Sequence, residues 1–477
     1  MSLRLVAAAR SLWGAAWVRQ HAVALAVLAG AMLLVWPALV NGYPILFTDT
    51  HAFLVQAGQP RMVWDKPFTY GPFLRLFHEG VSLWLPLAAQ GLILSHLLWL
   101  TAKALGQARA GGHLLLCAVL AAGSAAPWFV SLLMPDIFAP VTVLCLFLLG
   151  FGVRLSTRER AWVGVLATAA IAFHLTHLII AAACIAAGLL LRPGRRTLRM
   201  ALPLLAALAV LVLTNAVGFG RFGVSPFGAV FALARLVGDG PAAAVIRRSC
   251  PQAGWHICAF AARLPTDSDD FMWNPQGPVW TAPGGPERFA AEAGTIVART
   301  LREEPLWVAR TALANTLRQL SMVRLGDVLK PDGLETSVTG SLRAYFPPAE
   351  MDRFHAALQA NGRLEAVAAP LNPAQGLLLL AAALATAWQL GRALHAHGGR
   401  GADPTRAALP ALVLAALLAN AFACGALSGP HHRYQARIAW LVLLPPLLPR
   451  LVRRPAAFPR PPGSFAPASR SRPAASG

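Results

Sequence analysis

Long apolar runs separated by short basic or polar breaks set the pattern of this chain. Residues 21–40 form the first, and 81–102, 113–133 and 137–153 follow. Each approaches or exceeds the ~20 apolar residues that a helix needs to cross a bilayer. Residues 161–191 are apolar throughout, with Arg160 at one end and Arg192, Arg195, Arg196 and Arg199 at the other. One straight helix would carry one of these basic clusters across the membrane. Two short spans turning near His174-Leu175-Thr176-His177 keep both on one side, so a pair is expected, with limbs only ~20 Å long. Further runs occupy 200–219, 375–394, 407–427 and 438–448. The last is too short to cross alone, so its helix is expected to begin in the preceding loop. The pattern predicts an all-α polytopic helical membrane protein of ten spans with both termini on one side. The short, even alternation of a membrane barrel is absent.

The pattern also divides the chain. Residues 1–219 hold the N-terminal transmembrane helices and the first outer loop. Residues 220–370 have mixed polarity and read as an extracytoplasmic (periplasmic) segment, mainly helical. There 227–237 and 286–325 have helical spacing, Pro305 breaks the second, and 264–286 is turn-rich. Residues 371–450 hold the C-terminal transmembrane helices. Residues 451–477 are rich in Pro, Arg, Ser and Ala, without apolar periodicity, and read as a disordered cytoplasmic tail.

Composition agrees with this pattern. The chain of 477 residues is 56% hydrophobic and 13% charged, whereas a soluble protein carries roughly 25% charged residues. A net charge of +21 would suit a nucleic-acid binder, but its distribution does not. The segments assigned to the inside hold 21 of the 41 Lys and Arg and only two of the 20 acids, Glu159 and Asp403. Nearly all the net charge therefore lies on one side, which is the positive-inside bias of a multi-pass inner (plasma) membrane protein with cytoplasmic termini. Nucleic acid is removed as a partner, and anionic membrane lipid is the expected one. The first run is long and no small-x-small cleavage site precedes Asn41, so it reads as an uncleaved anchor rather than a signal peptide.

Cys117, Cys145, Cys184 and Cys424 lie in the spans. Cys250 and Cys258 lie close together in CPQAGWHIC of the outer segment. In an oxidising compartment that spacing suits a disulfide, the alternative being two free thiols.

Polar groups near lipid are costly and are therefore functional candidates. The loop 41–78 carries Asp49, Asp65, Lys66, Tyr70 and Arg75. Asp49 either caps a helix over 50–56 or acts as a base or ligand at the membrane boundary. Asp65 and Lys66 read as a local ion pair, with Lys66 also placed to bind substrate. Asp136, in LLMPDIFAPV, is either a helix cap or a carboxylate lining an outward-facing cavity. His174 and His177, three apart, share a helix face or line a turn. They read as hydrogen-bonding core groups or, at the same face as Asp49 and Asp136, as substrate-binding groups together with Tyr434, and as metal ligands only if Asp49, His51 and Asp136 join them. The last outer loop, GPHHRYQARIAW, sets Arg433 and Arg437 four apart beside Tyr434 and Gln435. Two planar forks suit a phosphate or pyrophosphate, and snorkelling at the interface is the plain alternative. The acidic run at 266–270 is a solvated loop or a calcium site. No Walker A, GxSxG, HExxH or Rossmann pattern stands in the required context. No cofactor is called for, and a divalent metal is the open alternative.

An acid in the first outer loop, a second at the next outer turn, many spans and a large late outer segment resemble the GT-C glycosyltransferases. The likeness covers the arrangement of roughly the first 220 residues and the final basic loop. Asp49 stands where that family has its first-loop acid, but Thr50 and His51 replace the common acidic doublet. The resemblance implies a polyprenyl-phosphate-linked sugar as donor. It also implies that Asp49, with Asp136, deprotonates or orients the acceptor hydroxyl, and that Arg433 and Arg437 stabilise the leaving phosphate. The paired cysteines and the Phe271-Met272-Trp273 stretch also resemble uncharacterised bacterial inner-membrane proteins, a likeness that implies no activity. The competing readings are a transporter or flippase for a lipid-linked or anionic substrate and a non-enzymatic membrane assembly protein.

Overall fold

A computed structural model describes residues 21–59, 61–106, 108–397 and 405–452. The N-terminal basic stretch and all but the start of the predicted tail lie outside the described residues.

The first apolar run makes α1 (His21–Leu34) and α2 (Trp36–Asn41). The break falls just before Pro37, which has no backbone N–H to give and crowds the preceding turn. The polar loop after this run folds into α3 (Thr50–Gly58) and α4 (Tyr70–His78), and α5 (Trp84–Leu105) follows. The next run divides in the same way into α6 (Ala110–Gly123) and α7 (Ala126–Ser131), with Pro127 opening the second piece. A 3-10 turn over Pro135–Ile137 leads into α8 (Phe138–Phe151), nearly all of which is buried. Ser156 and Glu159 form a capping box that starts α9 (Thr157–Ala172). The backbone breaks at Phe173 and His174 before α10 (Leu175–Leu191), so the 161–191 run is two helices. Its basic ends meet, because Arg160, Arg196 and Arg199 line one cavity.

After α11 (Arg195–Leu198) and α12 (Ala201–Phe219), α13 (Gly228–Gly238) and α14 (Pro241–Ser249) meet at 94°. Gly240 makes that corner at a φ of 104°, a conformation open to glycine. A 3-10 stretch over His256–Arg263 precedes α15 (Ser268–Trp273), α16 (Pro278–Thr281), α17 (Gly285–Glu303) and α18 (Pro305–Ser321). Pro305 separates the last two, as expected. Four short helices follow: α19 (Leu334–Ser337), α20 (Thr339–Tyr345), α21 (Pro348–Ala356) and α22 (Leu364–Ala368). Two long helices, α23 (Asn372–His397) and α24 (Thr405–Leu427), come next. The chain then enters α25 (His432–Ala439), a 3-10 turn over Trp440–Leu443 and α26 (Leu444–Leu451). The final helix does begin within the polar loop.

The described residues contain no strand, only one isolated parallel bridge between Ile45 and Leu132. Four helices among them are long and apolar enough to cross a membrane: Trp84–Leu105, Arg195–Phe219, Leu364–Ala396 and Thr405–Leu427. The bent α13–α14 pair would make a fifth, and α1, α6, α10 and Pro135–Phe151 are shorter apolar helices. The ten predicted spans therefore do not become ten long helices, in part because Pro37 and Pro127 divide two of the apolar runs.

The apolar residues form two cores. The larger reaches from Leu34 to Leu448, and the smaller is built from residues between Phe227 and Ile296. The predicted 220–370 segment is shared between them: Val328, Leu342 and Phe354 belong to the larger core. Cys250 and Cys258 are joined by a disulfide in the smaller unit, with Cα atoms 5.4 Å apart.

Candidate functional site

The loop over residues 41–78 is stitched to the turn that carries Asp136. Ile45 donates its N–H to the Ser131 carbonyl and accepts from the Leu133 N–H, both at 2.9 Å. The Thr50 hydroxyl donates to the Leu133 carbonyl. From beneath, the buried Gln90 amide donates to the carbonyls of Val130 and Leu132 and accepts from the Tyr70 hydroxyl. From the side, Gln359 accepts from the Leu46 N–H and donates to the Leu46 and Val328 carbonyls. The turn and the loop thus form one polar scaffold, in which buried backbone groups find partners.

On this scaffold the two acids face the same basic helix. Arg433 Nε lies 3.4 Å from Asp136 Oδ1, and its Nη2 lies 3.9 Å from Asp49 Oδ2. Arg437 Nη1 lies 3.5 Å from Asp136 Oδ1. One turn of α25 separates the two arginines, so both reach the same side. Lys66 approaches from the loop, 3.1 Å from Asp49 Oδ1 and 2.5 Å from Asp65 Oδ2. It is therefore shared between two carboxylates rather than held in a local pair alone.

The carboxylates differ in access. The Asp49 side chain is 29% exposed and that of Asp136 only 1%. Asp49 stands at the cap of α3 but makes no side-chain cap hydrogen bond, and Asp136 lies inside the 3-10 turn, the cap position of α8 being Ile137, so capping explains neither. Burial acts to raise the Asp49 pKa, but Lys66 and then Arg433 outweigh it and hold the carboxyl below its ordinary value. Burial acts to lower that of Lys66, and Asp49 and Asp65 outweigh it in turn. Asp49 and Lys66 accordingly form a lasting charged pair.

The arginines are held from both sides. Arg433 lies between the rings of Phe47, at 4.3 Å, and Tyr434, at 4.9 Å. Its N–H donates to Asp327, but its guanidinium makes no hydrogen bond among the described residues. Arg437 Nη2 donates to the Thr176 hydroxyl and to Asn420 Oδ1, both at 3.0 Å. Asn420 in turn donates to the Tyr434 carbonyl and to Gln435. Arg437 Nε, Arg437 Nη1 and Asp136 Oδ1 are buried without a hydrogen-bond partner. Charged groups drawn together at 3.4–3.5 Å but not hydrogen-bonded leave donor capacity that a ligand or water can take up.

His174 caps α10, its Nδ1 accepting from the Thr176 N–H, and so reaches the site through Thr176 and Arg437. His177 lies against the Ala170 carbonyl at 2.6 Å and is fully buried. A carbonyl only accepts, so Nδ1 carries the proton there. Both histidines have the hydrogen-bonding role expected of core residues, and among the described residues no three His, Cys, Asp or Glu gather as a metal would need. In the acidic run, Asp267 caps α15 and Asp269 pairs with His431 at 3.2 Å.

Sequence reading overlooked Asn420, Thr176, Asp327 and Gln359. An amide inside the apolar run 407–427 was a visible signal for Asn420. Gln359 gave none, since its partners Leu46 and Asn41 lie more than 300 residues away. Trp64 packs against Phe231, Trp273 and Trp280, and Lys66 lies 5.7 Å from the Trp273 ring. The site therefore lies beside the smaller core.

No family model, no curated protein and no solved structure matches this chain.

Proposed function

We propose that this chain is an integral membrane glycosyltransferase that uses a polyprenyl-phosphate-linked sugar at the outer face of the bacterial inner membrane. One observation carries the reading. Three segments distant in sequence bring an accessible carboxylate, Asp49, to a pair of guanidinium groups, Arg433 and Arg437, whose donors are not fully used. The first is what an acceptor hydroxyl needs, and the second suits a phosphate.

In this reading Asp49 accepts a hydrogen bond from the acceptor hydroxyl. A new bond forms between that oxygen and the anomeric carbon as the bond to the lipid phosphate breaks. The hydroxyl proton passes to Asp49, and the electron pair leaves with the phosphate. With its pKa held down, Asp49 is a weak base, so its main work is orientation, with proton transfer late in the step. Arg433 takes the charge that develops on the phosphate, and electrostatic help of this kind is commonly the largest catalytic term. Asp136, buried under both arginines, positions them. Ten spans with cytoplasmic termini, an extracytoplasmic 220–370 segment and a polyprenyl-phosphate partner belong to the same proposal.

Asp49→Asn tests it. Cells carrying this variant should make folded protein and lose the dependent surface glycan or glycolipid. Full glycan with Asp49→Asn removes the orienting role. The broken helices α1–α2, α6–α7 and α13–α14 favour a second reading, a flippase or transporter, because discontinuous helices serve substrate passage. Movement of a fluorescent polyprenyl phosphate across proteoliposomes, unaffected by Asp49→Asn, would select it.

A further inference from the structure

A second site lies at the other end of the α9–α10 pair. A cavity of about 160 Å³ is lined by Arg160, Arg196 and Arg199 together with residues 149–153 at the end of α8. It is well above the ~15 Å³ that one water needs. It shares no residue with the Asp49 site, and the 17 residues of α10 set the two ends ~25 Å apart.

The charge in this cavity is not balanced. Among the described residues Arg160 donates only to the Leu155 carbonyl, and none of the three arginines has an ion-pair partner. Glu159 is the single acid between Asp136 and Asp239 in the sequence. It is already taken by Lys103, at 2.7 Å and 2.9 Å, and by the capping box with Ser156. The carbonyl end of α8 contributes at most about half a negative charge, against three full positive ones. Arginines that only neutralised a helix end would not be needed in that number. The surplus leaves guanidinium donors free to take up an anion, and planar forks lining one recess suit the oxygens of a phosphate group.

We infer that Arg160, Arg196 and Arg199 form a binding site for a phosphate monoester or diester. The shared chemistry is a phosphate with two or more free oxygens, offered either by an anionic phospholipid headgroup or by a soluble phosphate compound. Arg196 and Arg199 are exposed and Arg160 half-buried, so the ligand enters from the polar side.

The test uses the full chain in detergent and in nanodiscs. Inorganic phosphate and pyrophosphate are titrated against chloride at equal ionic strength, with thermal midpoint as readout. Retention of phosphatidylglycerol over phosphatidylcholine is measured by native mass spectrometry. Binding in either arm, weakened about tenfold or more in Arg196→Gln/Arg199→Gln, supports the site. Loss of only the lipid arm assigns it to a headgroup, and loss of only the phosphate arm to a soluble ligand. Because both substituted residues are exposed, the double variant should fold, and Arg154→Gln, outside the cavity, serves as a charge control. No preference in either arm, or equal weakening by Arg154→Gln, overturns the inference.

Discussion

Asp136 is the residue on which the site depends most. It is buried beneath two guanidinium groups, and removing its charge leaves both uncompensated. Breaking one partner of a buried ion pair costs about 3–5 kcal/mol. Asp136→Asn should therefore lower stability by an amount in that range, measured by thermal or chemical unfolding in detergent. A change within ~0.5 kcal/mol, usual for surface sites, would show that Asp136 is not the anchor of the two arginines. Asp49 behaves differently because it is accessible. Its folded pKa lies below the ordinary 3.8, so its favourable pairing is complete above that value and is lost only as pH falls through the folded pKa. The stability difference between wild type and Asp49→Asn should then stay flat from about pH 8 to about pH 5. A difference that fades near neutral pH would place the Asp49 pKa above its ordinary value and contradict the shared pair with Lys66.

At the level of elements, the critical feature is how the loop over residues 41–78 is fixed. Gln359 clasps Leu46 through both backbone groups, and Asn41 accepts from the Gln359 N–H. Gln359→Leu removes this clasp, leaves at least two buried backbone groups unpaired and should cost about 1–3 kcal/mol each. Amide hydrogen exchange should show faster exchange at residues 42–50, and unchanged protection there would show the loop is fixed by Ile45 and Gln90 alone. Much of the element pattern was legible in the sequence. The split of 161–191 followed from basic residues at both ends, and the break at 303–305 followed from Pro305. The start of the last helix inside the polar loop followed from the shortness of the 438–448 run. Other parts were not legible. Pro37 and Pro127 divide runs that hydropathy reads as continuous, because an apolar window does not register a missing N–H. The short helices α19–α22 join the larger core through contacts such as Tyr43 with Glu350, which no local pattern announces.

For the whole molecule, composition and apolar runs sufficed to give a helical protein with membrane-crossing helices. The gathering of Asp49, Asp136, Lys66, Arg433 and Arg437 had only an indirect sign, their common placement on one side by charge counting. Distance in sequence hides such a site: Asp49 and Arg433 come together only in the tertiary fold. The most direct measurement is binding of undecaprenyl phosphate, the lipid the proposed reaction would release, to the purified full chain in nanodiscs. Wild type should bind it, and Arg433→Ala should bind about tenfold or more weakly, since a charge-assisted contact is worth about 1.5–3 kcal/mol. Equal binding by wild type and Arg433→Ala, with both proteins folded, would contradict a phosphate-gripping site at Arg433.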